Sequence, residues 1–239
     1  MPAVEQSKAS GKLVVYWGSV ATVTIAIKQF YSAATAESLQ WMLKPLVMLL
    51  ESLSDLSFEP TPDATWLDPN HRISIVKSCA GINFFIISLL GYLCQRQGDC
   101  RLILFLRALS AAWLTSLAAN TLRILLSVYY EDTLSVCLHL SEADSHRLIG
   151  ITVYFSCLWL QLAGYRIKRF KRAAITASAC YFSVTVLIPL LRGWALDLDP
   201  VDMQHIVWVT GIPLGMILLG FFFKKLASMI RDYRFLSGR

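Results

Sequence analysis

The chain has 239 residues, of which 56% are hydrophobic and 16% are charged, and its mean hydropathy is +0.54. Ordinary soluble domains carry more charge than this, so the composition excludes a typical soluble globular protein and indicates a membrane protein. The net charge of +6 does not indicate nucleic-acid binding, because the chain has no basic soluble segment of domain size.

Six apolar stretches of near-bilayer length follow one another along the chain. They predict transmembrane helices at about 13–30, 78–94, 102–130, 148–165, 173–191 and 205–223. The predicted fold class is therefore all-α, with one integral membrane domain over residues 1–239 that forms a polytopic transmembrane helical bundle. The first stretch has features of a signal peptide, with Ala-Thr-Ala at 34–36 resembling a cleavage site. Lys28 and Gln29 interrupt the approach to that site, so a retained first span is expected.

The first loop, 31–75, is the longest non-membrane segment and contains a helical pattern. Leucines recur at helical spacing at Leu39, Leu43, Leu46, Leu50 and Leu53. Lys44 and Pro45 make residues 39–56 a poor bilayer span, so the pattern indicates an outer interfacial or re-entrant helix. The segment 59–69 is rich in proline and acid, which is typical of a loop leading into the second span.

The distribution of lysine and arginine gives the chain a predicted orientation. Residues 166–172 hold five Lys/Arg and no acid between two spans, which is typical of a cytoplasmic loop. Successive segments between spans lie on alternate sides of the membrane. Counted from that loop, the inner segments hold 14 Lys/Arg and the outer segments hold 4. The inner segments are 1–12, 95–101, 166–172 and 224–239, and the outer segments are 31–75, 131–147 and 192–204. Both termini are therefore expected in the cytoplasm.

Three residues with useful chemistry fall at the outer membrane face in this topology. Cys79 begins the second span, Arg123 lies roughly 10 Å below the outer end of the third, and His146 opens the fourth. Nearby cations favour the nucleophilic thiolate form of a cysteine, and a histidine can transfer protons. A guanidinium in a site of low dielectric can stabilise an oxyanion. Together these are the residue types that an acyl-transfer site needs.

Each of these residues also has a simpler interpretation. Cys79 and Cys137 share the outer side, so a structural disulfide between them is a direct competitor. Arg123 alone is accounted for by a buried ion pair or a headgroup anchor. His146 alone is accounted for by an ordinary amphipathic position at the membrane interface.

Two further interpretations concern metals and transport. A metal site is conceivable at Cys137, His139, Glu142 and His146. Those residues match no spacing typical of zinc ligands, so neither a metal nor another cofactor is predicted. The alternative function is a small non-enzymatic transporter or assembly scaffold in which Arg123 binds an anionic ligand. Transporters often have repeated halves, and no internal repeat is visible in this sequence.

Three short motifs carry a resemblance to a known family. They are C-A-G at Cys79–Gly81, N-x-x-R at Asn120–Arg123 and H-x-x-x-G at His146–Gly150, in that order. With these motifs the chain resembles the exosortase/archaeosortase family of membrane cysteine transpeptidases, and C-A-G-I-N-F-F is most like the exosortase K branch. The resemblance covers about residues 70–165. The chain has fewer spans than many exosortases, and it carries Ile-Asn after C-A-G where larger branches often have other residues.

The resemblance implies a protease and transpeptidase in the bacterial plasma (inner) membrane, with its active site at the extracytoplasmic face. It implies substrates that are exported proteins ending in a short motif, a membrane span and a basic tail. The carboxyl end that cleavage creates on the exported protein would be transferred to water, an amine or a glycan. By residue match Cys79 is the nucleophile, Arg123 the stabilising cation and His146 the proton shuttle. Asn83 and Asn120 are expected as supporting hydrogen-bonding residues.

The expected partners are therefore such exported proteins and the lipid bilayer, with no nucleic acid. The sorting motif, the acceptor and the oligomeric state do not follow from the sequence.

Overall fold

A computed structural model of the chain describes residues 2–95, 101–164, 170–187, 190 and 203–237. The protein is predominantly helical, at 83% helix, with seven α-helices in the described ranges. They are α1 (Pro2–Ala33), α2 (Gln40–Leu53), α3 (Ile82–Cys94), α4 (Leu102–Leu138), α5 (Glu142–Ala163), α6 (Phe170–Phe182) and α7 (Met203–Ser237). A π-helical turn, Ser183–Leu187, extends α6. The predicted helical character of the fold is confirmed.

Three helical segments are long and apolar enough to cross a membrane. They are Lys77–Cys94, Leu102–Leu138 and Met203–Phe223, which match the second, third and sixth predicted spans. Only 11% of the Met203–Phe223 segment is buried inside the protein, as expected for a helix that faces lipid. The other predicted spans coincide with α1, α5 and α6, and the fifth runs into residues outside the described ranges. The prediction of six spans therefore remains a prediction.

Helix α4 is longer than the predicted third span. The prediction ended that span at residue 130, but the helix has 37 residues and continues to Leu138. At 1.5 Å per residue it extends about 55 Å, well beyond a hydrocarbon core of about 30 Å. His139 ends it in a left-handed conformation, and the Ser141 side chain caps α5 by accepting a hydrogen bond from the Asp144 amide. The segment 131–147, predicted as an outer loop region, is therefore mostly helical.

Helix α2 is the helix that the leucine pattern indicated. It buries Met42, Leu43, Leu46, Val47 and Leu50, whereas Leu53 at its end is exposed. Its 14 residues extend about 21 Å, which is too short to cross a bilayer. The buried stripe packs against α4, so α2 belongs to the protein core on one side.

The segment after α2 forms a small sheet, so the all-α prediction was wrong there. The antiparallel strands are β1 (Glu59–Pro60), β2 (Trp66–Asp68) and β3 (Ile73–Ile75), in that spatial order. Asp68, the last residue of β2, is buried and accepts hydrogen bonds from the amides of Ser57, Asn70 and His71. Burial alone would raise the pKa of Asp68, but these hydrogen bonds and one from the His71 ring lower it to about 2. An ionised carboxylate at the end of β2 thus holds the β2–β3 turn, and β3 leads directly towards Cys79.

The helices around Cys79 form the central packing unit. Helices α4 and α5 make the most extensive helix–helix contact, and α3 packs against both. Because a short turn joins α4 to α5, the two helices run antiparallel and the ends near that turn lie side by side. This arrangement brings the C-terminal half of α4 next to the first turns of α5.

Candidate functional site

The C-A-G motif forms a tight turn between the sheet and α3. Residues Lys77–Ala80 make a 3₁₀ turn, and Gly81 then adopts the left-handed conformation with φ of +65° before α3 begins. A side chain on Gly81 would place its Cβ 1.9 Å from Nδ2 of Asn120. Glycine is therefore required both by the backbone conformation and by the close approach of α4. The turn holds Cys79 half-buried, packed against the main core.

Two polar residues of α4 bind the carbonyl groups of this turn. Asn120 is completely buried, and its Nδ2 donates to the Cys79 carbonyl at 3.1 Å. Ser116, one helical turn earlier, donates from Oγ to the Gly81 carbonyl at 3.3 Å. The Gly81 carbonyl also accepts from the Phe85 amide at the start of α3, so the Ser116 bond is its second, and together the two side chains fix the turn that carries Cys79 relative to α4.

We expect Gly81→Ala to disrupt the site. The left-handed conformation costs an alanine about 1–2 kcal/mol, and the new methyl group collides with the Asn120 amide. Asn120 must then move away from the Cys79 carbonyl, so the rate of any reaction at the Cys79 thiol should fall at least about tenfold. The control is Gly164→Ala, because Gly164 also has a positive φ of +53° but open space around its Cβ position. An equal decrease of that rate in both variants would show that the Asn120 contact is unimportant.

Arg123 lies on the same face of α4 as Asn120 and binds two side chains of α5. Its Nη1 donates to the Tyr154 hydroxyl at 3.1 Å, and its Nη2 lies 2.6 Å from Nε2 of His146. Gly150 of α5 lies beside the arginine, since a Cβ there would be 3.6 Å from the Arg123 Nε, an ordinary contact distance. These hydrogen bonds offset part of the free-energy cost of placing a charged arginine in an apolar helix.

The hydrogen bonds of His146 determine its tautomer. A guanidinium can only donate, so Nε2 of His146 accepts from Arg123 and carries no proton. The proton of the neutral ring is then on Nδ1, which lies 3.1 Å from Oε2 of Glu131 and 3.4 Å from the Ser127 hydroxyl. His146 is therefore a neutral imidazole oriented by a carboxylate. Its side chain is 47% exposed, so it is accessible from outside the core.

Tyr154 connects the two halves of the site. Its hydroxyl donates to Oδ1 of Asn120 and accepts from Arg123, and its ring stacks on Phe84 of α3 at a centroid distance of 4.7 Å. The result is a continuous set of hydrogen bonds, which we call the site network. It consists of the Cys79 carbonyl, Asn120, Tyr154, Arg123, His146 and Glu131.

The structure brings four of the five sequence-predicted site residues into this network. Cys79, Asn120, Arg123 and His146 belong to it, and the first of them joins through its backbone. Within the described residues, no hydrogen bond joins the Cys79 thiol directly to Arg123 or His146. Asn83 lies outside the network, because it is exposed on α3 and accepts a hydrogen bond from Nζ of Lys28 at 2.5 Å.

The disulfide and the metal site were the two alternative roles for the cysteines of the predicted outer side. Cys79 and Cys137 are both free thiols, and Cys137 is exposed near the end of α4, so the disulfide alternative is not what the structure contains. Across the described ranges, no group of three or more His, Cys, Asp and Glu side chains is arranged to hold a metal ion.

Sequence reasoning missed Tyr154, Glu131 and Ser127. Glu131 and Ser127 lie eight and four residues after Arg123, and Tyr154 lies eight residues after His146. Residues at spacings of four and eight share one face of a helix, so a search for polar residues at these spacings would have found all three.

No protein-family model, curated protein or solved structure matches the chain. The case for a function therefore rests on the site network and on the three sequence motifs that it contains.

Proposed function

We propose that the protein is an exosortase-like cysteine protease and transpeptidase that cleaves C-terminal sorting signals of exported proteins. The observation that carries this proposal is the meeting of three motifs that are far apart in the sequence. Asn120 of N-x-x-R binds the turn of C-A-G, and Arg123 of N-x-x-R binds the histidine and lies beside the glycine of H-x-x-x-G. Motifs that occurred by chance would have no reason to interact in this way.

In the proposed reaction the Cys79 thiol is the nucleophile. Nε2 of the neutral His146 takes the thiol proton, and the sulfur attacks the carbonyl carbon of the scissile peptide bond. The tetrahedral intermediate collapses when the C–N bond breaks, and the imidazolium returns the proton to the leaving amine. The acyl group remains on Cys79 as a thioester. Attack on the thioester by water, an amine or a glycan hydroxyl releases the product and restores the thiol.

Arg123 has two roles in this mechanism. In the resting site it occupies the Nε2 lone pair of His146, so the histidine becomes available as a base only when that bond is released. A substrate carbonyl oxygen accepts from the same guanidinium, and it gains negative charge as the thiol adds. Binding of substrate thus draws Arg123 towards the developing oxyanion and frees the lone pair of His146.

Glu131 orients His146 in this scheme, so Glu131→Gln is expected to reduce processing about a hundredfold. An amide that donates to Nδ1 favours the other tautomer, whose Nε2–H faces the Arg123 donor and cannot accept a proton. Processing of a tagged substrate measures the effect. Asp132→Asn is the matched control, because it removes a neighbouring exposed charge outside the site network. Glu131→Asp keeps the charge and should retain more activity than the glutamine variant; full activity of Glu131→Gln would contradict the role.

The proposed location is the bacterial inner membrane, with six spans, both termini in the cytoplasm and the site at the extracytoplasmic face. The split of 14 inner to 4 outer Lys/Arg supports this orientation. The three helical segments that are apolar enough to cross a membrane are compatible with it.

A labelling experiment tests this orientation with two exposed positions. In a background without other cysteines, Cys137 should react with a membrane-impermeant thiol reagent in intact cells. A cysteine introduced by Arg172→Cys, also at an exposed position, should react only after the membrane is permeabilised. The opposite pattern would place the site network on the cytoplasmic side.

Mass spectrometry of protein C-termini tests the function without knowledge of the sorting motif. Membrane fractions are compared between source cells with the intact gene and cells with the gene disrupted. The expected result is that a set of exported proteins retains a C-terminal span and basic tail only after disruption. If no C-terminus changes, the protease proposal fails and the transporter or scaffold with Arg123 as an anion-binding residue becomes the better account.

A further inference from the structure

A groove between α6 and α7 is a second feature of the fold, separate from the site network. Its volume is about 750 Å³, and its walls are largely apolar. Ala174 and Ile175 of α6 form one wall, and Ile217 and Phe221 of α7 form the other. Ser178 is the one uncharged polar residue of the lining, so the walls suit a hydrocarbon chain.

Two lysines lie together at one end of this groove. Lys171 is at the start of α6, and its Nζ lies 5.9 Å from the centre of the Phe221 ring. Lys225 lines the groove one helical turn after Phe221, so the two ammonium groups belong to the same end. The apolar window of α7 ends at Phe223, which puts Lys225 where a spanning helix meets the headgroups.

The sequence next to each of these two lysines is also basic. The segment 166–172, which leads into α6, has five Lys/Arg and no acid. The segment 224–239, which contains the end of α7, has five Lys/Arg and one acid, Asp232. The local charge therefore favours an anion at the lysine end and disfavours a cation.

We propose that the groove between α6 and α7 binds an anionic phospholipid, with its phosphate between Lys171 and Lys225 and an acyl chain along the apolar walls. A lysine that only extends to the headgroups needs no adjoining cavity, whereas here two lysines from different helices close one end of an apolar groove. Basic pockets between membrane helices are suited to lipids of this charge. The proposal does not depend on the enzymatic function.

Native mass spectrometry of the purified full chain in detergent tests the proposal. Phosphatidylglycerol and phosphatidylcholine with the same acyl chains are titrated separately, and phosphatidylglycerol should bind more tightly. Lys171→Gln and Lys225→Gln should each weaken phosphatidylglycerol binding about fivefold and leave phosphatidylcholine binding nearly unchanged. Arg172→Gln is the matched control, because it removes the same charge from the neighbouring exposed position of α6, which does not line the groove.

A second variant tests whether the cavity is needed as well as the charge. Ser178 lines the groove and is only half-buried, so Ser178→Phe fills the groove without changing any charge, and it should weaken phosphatidylglycerol binding. Equal binding of the two lipids, an equal loss in Arg172→Gln, or unchanged binding in Ser178→Phe would each overturn the proposal. Complete displacement of the lipid by an equal concentration of inorganic phosphate would also overturn it, because the groove would then recognise a free anion. A change from dimer to monomer in Ser178→Phe would assign the groove to a second copy of the chain instead.

Discussion

Cys79→Ala is expected to abolish processing of an exported substrate while the protein itself remains at its normal level in the membrane. Removal of the thiol removes the nucleophile, so the rate should fall by at least about a thousandfold. Alanine keeps the backbone carbonyl that Asn120 binds, and Ala80 beside it shows that a methyl group is accepted in this turn. Immunoblotting of a substrate with an N-terminal tag measures processing, because uncleaved substrate keeps its C-terminal span and migrates more slowly. Immunoblotting of a tag on the variant in the same membranes measures its level.

Two further variants test whether Cys79 is a nucleophile or a structural cysteine. Cys137→Ala removes the other cysteine of the predicted outer side, which is an exposed free thiol, and it should leave processing unchanged. Cys79→Ser keeps a nucleophilic atom but replaces the thiol with a hydroxyl, which loses its proton far less readily, so processing should still be severely reduced.

Normal processing by Cys79→Ala would end the protease assignment. Equal losses of protein level in Cys79→Ala and Cys137→Ala would instead support a structural pairing of the two cysteines. A result in which only Cys79→Ala stops processing, at normal abundance, would agree with the proposed thioester mechanism.

The helical architecture could be predicted because long helices of this chain are continuous apolar runs. Met203–Phe223 and Lys77–Cys94 stand out in the sequence for this reason. The small sheet could not be predicted, because its strands have only two or three residues and a period-2 pattern needs more. Its turn is specified instead by the buried Asp68, whose partners are amide groups and leave no pattern in the sequence.

The candidate site was predictable in part for a similar reason. Cys79, Arg123 and His146 were found because the topology assigned all three to one membrane face. Glu131 was missed because the predicted span ended at residue 130, one residue before it, although α4 continues to Leu138. A single sequence indicates that a helix is present but not how it is rotated against its neighbour, so it could not show that Tyr154 faces Arg123.

The same limitation explains Asn83. It is close to Cys79 in sequence, but it follows the left-handed residue Gly81, where the chain changes direction as α3 begins. Its side chain therefore meets Lys28 of α1 instead of the site network. Proximity in sequence was a poor guide because one glycine reoriented the chain.

Arg123→Lys is expected to lose most activity although the positive charge is retained. In the structure two different nitrogens of the guanidinium serve two partners, with Nη1 on Tyr154 and Nη2 on His146. An ammonium is a single point from which this planar arrangement cannot be reproduced. Because loss of one donor to an oxyanion typically reduces turnover by about 10²–10³, we expect a decrease of that size in the processing rate.

The control for this variant is Arg147→Lys. Arg147 neighbours His146 on α5, and within the described part of the chain its one side-chain hydrogen bond runs from Nη1 to Oδ1 of Asp144 at 3.4 Å. A lysine can replace one such contact, so processing should stay within about twofold of the wild-type rate.

Tyr154→Phe should have an effect between those of Arg123→Lys and Arg147→Lys. It removes the hydroxyl that holds Arg123 and Asn120 but keeps the ring that stacks on Phe84, and a decrease of about tenfold is expected.

The three variants together distinguish a catalytic arginine from a membrane anchor. An anchor depends on charge and length alone, and lysine extends to the headgroups as well as arginine does. If Arg123 were an anchor, Arg123→Lys would process substrate normally and Tyr154→Phe would have no effect. If Arg123 stabilises the oxyanion, both variants lose activity, and Arg123→Lys loses more because the group that faces the substrate is itself changed. Normal processing by Arg123→Lys would therefore remove Arg123 from the mechanism and leave His146 without the donor that determines its tautomer.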